Sequence, residues 1–303
     1  MKCLNPFMFL VVLLAFFGIS GCQKDFHFKN TDYTPKQVIV ANFTANKQLA
    51  VNISKSKAVE DFTPIVFLDD CEVDLYENNI FIERMKYQLY DTLAQLGRYV
   101  SDYKLKQDKT YYIVSKHPEL GTASASEYLP KAIPFYASLA NHADSGRTKT
   151  TAQITLTYHD SAQFANLYYV AVLYRVLYLD TVNGVITNRD EWNLNIPLKS
   201  NLYRNPFNIN VIFFNDDLFD GYFHNLTFTF PSTYIKKAYQ IQLLVEFTAI
   251  GKNYYDMFSQ QLNLEENDFN QGSNEPLNNI SNIENGYGHF SSFNKNYKIF
   301  QIK

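Results

Sequence analysis

Leu167 to Leu179 reads LYYVAVLYRVLYL, the most apolar run outside the amino-terminal segment. Its length suits a buried helix or a long buried strand, and hydrophobic periodicity alone does not separate the two. Two features favour the strand. Tyr and Val make up most of the run, and such residues pack better on a pleated surface than in a helix. Asn183-Gly184 follows after three further residues, the dipeptide that most readily turns a hairpin.

The same reading extends in both directions. Downstream, Phe207–Phe214, His224–Phe230 and Ala238–Ala249 are further strand-length apolar runs. Upstream, Thr151–Tyr158 (TAQITLTY) alternates, with Ile154 and Leu156 two apart. Before it stand Lys36–Ala45 (KQVIVANFTA), Lys47–Ser54 (KQLAVNIS), Glu72–Tyr76 (EVDLY), Ile80–Ile82, Gly97–Val100 and Lys109–Ser115 (KTYYIVS). Asn78-Asn79 supplies a turn, and Pro130 with Pro134 closes this first series. Ala140–Lys149 (ANHADSGRTK) and Asn263–Asn282 are polar and read as loops. Only Gly251–Leu262 has helical spacing, with Tyr255, Phe258 and Leu262 on one face. With 25 Phe and 23 Tyr against 1 Trp, the chain is rich in strand-forming aromatics. The fold expected is all-β: two β-sandwich domains, residues 36–134 and 135–303, with one short helix near 252–262.

The first residues read differently. Lys2 precedes the apolar run Phe7–Phe17, which is too short for a membrane span of roughly 20 residues but suits an export signal. Ile19-Ser20-Gly21-Cys22 follows and resembles the lipobox of bacterial lipoproteins. The sequence therefore predicts a signal peptide over 1–21, acylation (palmitate among the chains) on Cys22, and a polar tether over 22–35. One acyl chain holds a protein only marginally, at about 0.8 kcal/mol per buried CH2, so stable anchoring needs two or more. Gln23-Lys24-Asp25 is similar to the surface-export signal of Bacteroidota lipoproteins, so the expected place is the outer membrane, with the cell surface as the further expectation.

The formal charge of −3 argues against nucleic acid as a partner. Of three cysteines, Cys3 leaves with the signal and Cys22 carries lipid, so Cys71 has no disulfide partner and reads as a small buried hydrophobe. The six histidines lack zinc spacing, and no nucleophile elbow, phosphate loop or dinucleotide fingerprint occurs. A catalytic site and a cofactor are not expected. Asp216, Asp217 and Asp220, with Gly221 next, are the residues that come nearest to a metal site, but their spacing is not that of a calcium loop. Glu265, Glu266 and Asp268 are the carboxylates a glycan hydrolase would need. Asp91-Thr92-Leu93, Asp160-Ser161-Ala162 and Asp180-Thr181-Val182 are similar to an O-glycosylation triplet and would mark exposed loops.

Several passages resemble one family, the Bacteroidota lipoproteins that carry domain of unknown function 4249. In the first body these are Val73-Asp74-Leu75-Tyr76, Gly97-Arg98-Tyr99, Thr110–Val114 and Leu129-Pro130. The resemblance implies a sandwich of the transthyretin or carboxypeptidase-regulatory kind, Ig-like in outline. In the second body Asn215–Gly221 resembles an acidic-aromatic-glycine turn, and Tyr254-Tyr255 a paired-tyrosine helix. Asn282-Ile283 followed by Gly286-Tyr287-Gly288-His289-Phe290 resembles the family's C-terminal signature. Glycines there imply positive φ or close approach of another strand, with Tyr287 and Phe290 as a plug between domains. Asp70-Cys71 and Lys109 depart from the family pattern. The resemblance also implies work beside an outer-membrane receptor driven by TonB, as a binding or accessory subunit whose ligand is unknown. The alternatives are a secreted glycan hydrolase and a structural or adhesive surface module; fold alone does not choose among them.

Overall fold

The computed structural model describes residues 33–58, 61–91, 96–142, 151–160, 162, 166–182, 185–193, 199–200, 211–217, 220–231, 240–259 and 281–301. The predicted signal peptide, Cys22, Asn183-Gly184, Glu265, Glu266 and Asp268 lie outside them. Pro35–Lys303 forms one unit. Its strands in chain order are β1 (Gln37–Phe43), β2 (Gln48–Lys55), β3 (Glu72–Glu77), β4 (Ile80–Arg84), β5 (Lys86–Asp91), β6 (Leu96–Lys104), β7 (Lys109–His117), β8 (Gly121–Leu129) and β9 (Phe135–His142). There follow β10 (Thr151–His159), β11 (Leu167–Val182), β12 (Val185–Asn193), β13 (Lys199–Ser200), β14 (Val211–Asn215), β15 (Phe223–Pro231) and β16 (Gln240–Ile250). A helix, α1, spans 252–259. The chain closes with β17 (Ile283–Glu284) and β18 (Tyr287–Gln301). The fold is all-β, with two sandwiches and one short helix.

The run that opened the sequence reading is a single strand, β11. Its length follows from its neighbours. One edge pairs with β16 over Leu167–Leu177, while the other is shared between β14 at Leu167–Ala171 and β12 at Tyr174–Val182. One long sheet, ordered β12-β11-β16-β18-β1-β2-β6-β5 with β14 beside β11, runs through both sandwiches. A five-stranded sheet, β17-β8-β7-β3-β4, and a four-stranded sheet, β13-β15-β10-β9, complete them. Each sandwich has its own core. The first gathers Ile39, Leu49, Val51, Leu75, Tyr111 and Ile113 with Ile283 and Phe290. The second gathers Ile154, Leu156, Tyr168, Val170, Phe228, Val245 and Phe247. Strict alternation in β1 and β2 buries every second side chain, as a half-buried strand requires.

β18 ties the two sandwiches. Tyr287–Ser292 pairs in parallel with Val38–Phe43 of β1, and Phe293–Gln301 pairs antiparallel with β16. Residues 283–292 thus pack with the first body although they follow the second in sequence. The segment leading into β18 explains the signature residues. Asn282 works as a one-residue strand: its Nδ2 donates to Phe290 O at 2.8 Å, and Phe290 N donates to its Oδ1 at 2.9 Å. Gly288 has φ 108, and a Cβ there would lie 2.1 Å from Ile39 O. At Gly286 a Cβ would meet Gln37 O at 2.8 Å. Only glycine permits β1 to come this close. Phe290 is fully buried with its ring 4.6 Å from that of Phe43. It belongs to the first core and is not the expected plug between domains. Tyr287 is half-buried, with the Lys36 ammonium over its ring.

Candidate functional site

Two residues along β18 from Phe290, the strand reaches the junction of the sandwiches. Ser292 Oγ donates to Tyr128 O of β8 at 2.6 Å, and Ser292 O accepts from Gly251 N at 2.9 Å. Gly251 precedes α1, and its carbonyl accepts the first helical bond from Tyr255 N. The free N–H of Asn253 is taken by a side chain from the other sandwich, donating to Glu127 Oε2 at 3.2 Å. Asn253 Nδ2 donates in turn to Ser126 O at 3.1 Å. Glu127 therefore caps the helix across the junction, where an acceptor satisfies an orphan donor and the positive helix end favours a carboxylate. The fit is tight: a Cβ on Gly251 would lie 2.0 Å from Glu127 Oε1.

Glu127 is only 4% exposed. Among the described residues no lysine or arginine forms an ion pair with it. Burial pushes its carboxyl up to about 8, against the Asn253 hydrogen bonds, which favour the charged form. Beside it opens a cavity of about 440 Å³. Leu167, Ala249, Ile250 and Pro130 make its apolar wall, and Glu127, Asn166, Asn253 and Lys252, which pairs with Asp256, are among its polar groups. That volume and mixture suit a small ligand. Glu127 is the one carboxyl among the described residues that line it.

Asn166 connects the cavity to the acidic residues. Its backbone N donates to Asp216 Oδ2 at 2.7 Å and its Nδ2 to Asp160 Oδ1 at 3.2 Å. Asp160, Asp216 and Asp220 bring one oxygen each within 4.8 Å of one another. Asp217 is not in this group; it is exposed and accepts from Asn215 Nδ2. Calcium wants six to eight oxygens, and Asp160 and Asp216 are already engaged by protein donors. Asp160 Oδ1 also accepts from the Tyr168 hydroxyl, and its Oδ2 from Gly221 N at 3.2 Å. Burial raises the Asp216 carboxyl above its ordinary range. The arrangement is that of carboxylates tying two loops to the end of β11. Asp160 is fully buried, so the triplet at 160–162 starts from an inward-facing carboxylate and not from an exposed loop.

On its other side α1 lies over an aromatic shelf. Tyr254 stacks on Tyr169, Phe258 packs 4.9 Å from Phe213, and Tyr255 meets the Phe213 ring edge-on. Glu246 is buried beneath them. It accepts from the Tyr169 hydroxyl and from Thr248 Oγ1, and pairs with Lys295 at 3.4 Å. A smaller hollow of about 190 Å³ remains between Tyr169, Phe213, Glu246 and Phe258.

Residues 23–299 match the family described as Domain of unknown function (DUF4249). The chain belongs to this family. None of the curated proteins matches it. Among solved structures, the chain is similar to the Fcho1 Mu homology domain of Danio rerio with bound Eps15 peptide, at 11% identity. That match covers 88% of this chain and 94% of the other, with a TM-score of 0.22, too slight a likeness to carry an argument.

Within this DUF4249 chain the signature residues divide. Asn282, Ile283, Gly286, Gly288 and Phe290 build the attachment of β18 to the first sandwich. Tyr254 and Tyr255 seat α1 on the sheet. Of the cavity's polar groups, the sequence points to Asn253 only as part of the helical stretch Gly251–Leu262, and not to Glu127. Glu127 did carry a signal: it stands in register with Ala123, Ala125 and Leu129, the buried side of β8. A carboxyl on the inward phase of a strand needs a partner or a purpose. Cys71, buried against Gln37 and Tyr99, has the structural character expected of it.

Proposed function

We propose that this DUF4249 member is a lipid-anchored, non-enzymatic binding subunit at the bacterial outer membrane, working beside a TonB-driven receptor. It holds a small molecule in the cavity between the sandwiches. The observation that carries the binding role is Glu127: a buried carboxyl that forms no ion pair among the described residues, placed by both sandwiches at the edge of a 440 Å³ cavity that Lys252 also lines. A ligand there is partly apolar, to match Leu167 and Ile250, and carries a hydrogen-bonding group for Glu127 and Asn253. The lipobox-like segment ending at Cys22 supports the anchor.

The hydrolase alternative wants two carboxyl groups facing each other across the bound sugar. Glu127 stands in the cavity without a second one among the described residues, which favours binding. To test the accessory role, the lipidated, tagged protein is purified from detergent-solubilised outer membranes and its companions are read by mass spectrometry. An outer-membrane β-barrel receptor in near-equal amount is the expected result. Recovery of the protein alone contradicts the accessory role and moves attention to glycan binding and hydrolysis.

A further inference from the structure

The loop between β2 and β3 breaks the usual rule for loops, because its outermost residues are apolar. Phe62 is 92% exposed, Ile65 63% and Val66 56%. They stand together in a stretch of five residues held by hydrogen bonds. Thr63 donates through both N and Oγ1 to Asp61 Oδ1, at 2.9 and 2.6 Å. Asp61 N donates to Ala58 O, and the Lys57 ammonium reaches Thr63 O. At its base Lys55 N donates to Val66 O, and Leu68 N to Ile53 O. Holding large apolar side chains out in water costs free energy, and a protein that fixes them there normally has something to bury them in.

The loop sits where the chain enters the body. Lys36 N donates to Ser56 Oγ at 2.8 Å, and Ser56 N returns a bond to Lys36 O at 2.9 Å. Residues 22–35 thus end at the base of the Phe62 loop. A coil of about fourteen residues spans roughly 20 Å r.m.s.. Any body held on a bilayer by Cys22 therefore keeps this loop within easy reach of the lipid surface, at a high effective concentration. Lys55 and Lys57 lead into the apolar tip, and the Lys57 ammonium is held at Thr63 O within it. Apolar side chains beside a lysine ammonium match the bilayer interface, where ammonium groups stay at the headgroups while apolar groups enter the acyl region.

We propose that Phe62, Ile65 and Val66 form a second membrane contact that dips into the lipid leaflet carrying the anchor and fixes which way the body faces. The proposal rests on the anchor reading, and the test separates the two. The intact mass of the mature protein reads acylation of Cys22 by itself. For the loop, a polarity-sensitive nitrobenzoxadiazole dye is placed on Ile65→Cys, with Tyr222→Cys, an exposed site in the other sandwich, as control. The lipidated protein is reconstituted in phosphatidylethanolamine–phosphatidylglycerol vesicles containing nitroxide-labelled acyl chains. At least threefold stronger quenching at position 65 than at 222 is expected. If the mass carries no acyl group, Cys22→Ala protein is titrated with the same vesicles; a blue shift at 65, lost when Phe62→Asp is added, still upholds the loop contact. Equal quenching at both sites, or no shift at 65, overturns it. A dye at 65 that is shielded only when a receptor is present assigns the loop to a protein partner and also overturns it.

Discussion

Phe290 and Ser292 are two residues apart on β18, and the regions around them are built to opposite ends. Around Phe290 the strands approach closely: a backbone oxygen occupies the place of a Gly288 side chain, and Asn282 bonds to the Phe290 backbone. Beside Tyr128 and Gly251, the partners of Ser292, the packing opens into a cavity edged by a buried carboxyl that forms no ion pair among the described residues. The residues most recognisable as a signature are those of the closed region. Close backbone approach leaves no choice of residue, so it leaves a visible pattern, whereas a cavity needs only a few groups in the right place.

The comparison can be broken first at Gly288. Gly288→Ala adds a Cβ against Ile39 O and strains a positive φ, so a loss of about 3 kcal/mol or more is expected in chemical denaturation. Phe290→Ala should cost a similar roughly 3–5 kcal/mol by emptying the first core. A loss below about 1 kcal/mol at either site would mean the closed region is not a fastening.

Glu127 should behave in the reverse sense. Its folded carboxyl titrates near 8, above the ordinary 4.5, so the folded protein holds a proton that the unfolded chain releases. Stability should therefore fall as pH rises from about 4.5 to 8. Glu127→Gln keeps an acceptor for Asn253 and cannot ionise. It should be near neutral at pH 5 and more stable than wild type by roughly 2–4 kcal/mol at pH 9, read from melts across pH. Parallel pH profiles for the two proteins would place Glu127 outside this scheme. The smallest effect is expected at Asn282→Ala, about 1–2 kcal/mol, because water replaces part of its pairing with Phe290.

The strand nature of Leu167–Leu179 and the helix after Gly251 were legible because composition and spacing agreed with tertiary packing. β8 was not read as a strand: its Gly, Ala and Ser residues carry little propensity, and its place comes from pairing with β7. β9 continues into His142, where sequence suggested a loop from Ala140, because Asn141 and His142 still pair with β10. β18 alternates weakly, and its parallel partner lies some 250 positions away, a pairing no local pattern announces. For the same reason Asp160 could not be joined to Asp216 and Asp220, nor Glu127 to Asn253. Each pair comes from segments that meet only after both sandwiches form.

The most direct measurement is native mass spectrometry of the protein isolated from its own outer membrane in mild detergent, as wild type and as Leu167→Trp, which narrows the cavity from its apolar wall. The wild type should carry the added mass of one small molecule, and Leu167→Trp should lack it while melting within a few degrees of wild type. Identical spectra for the two proteins would contradict a binding role for the junction cavity.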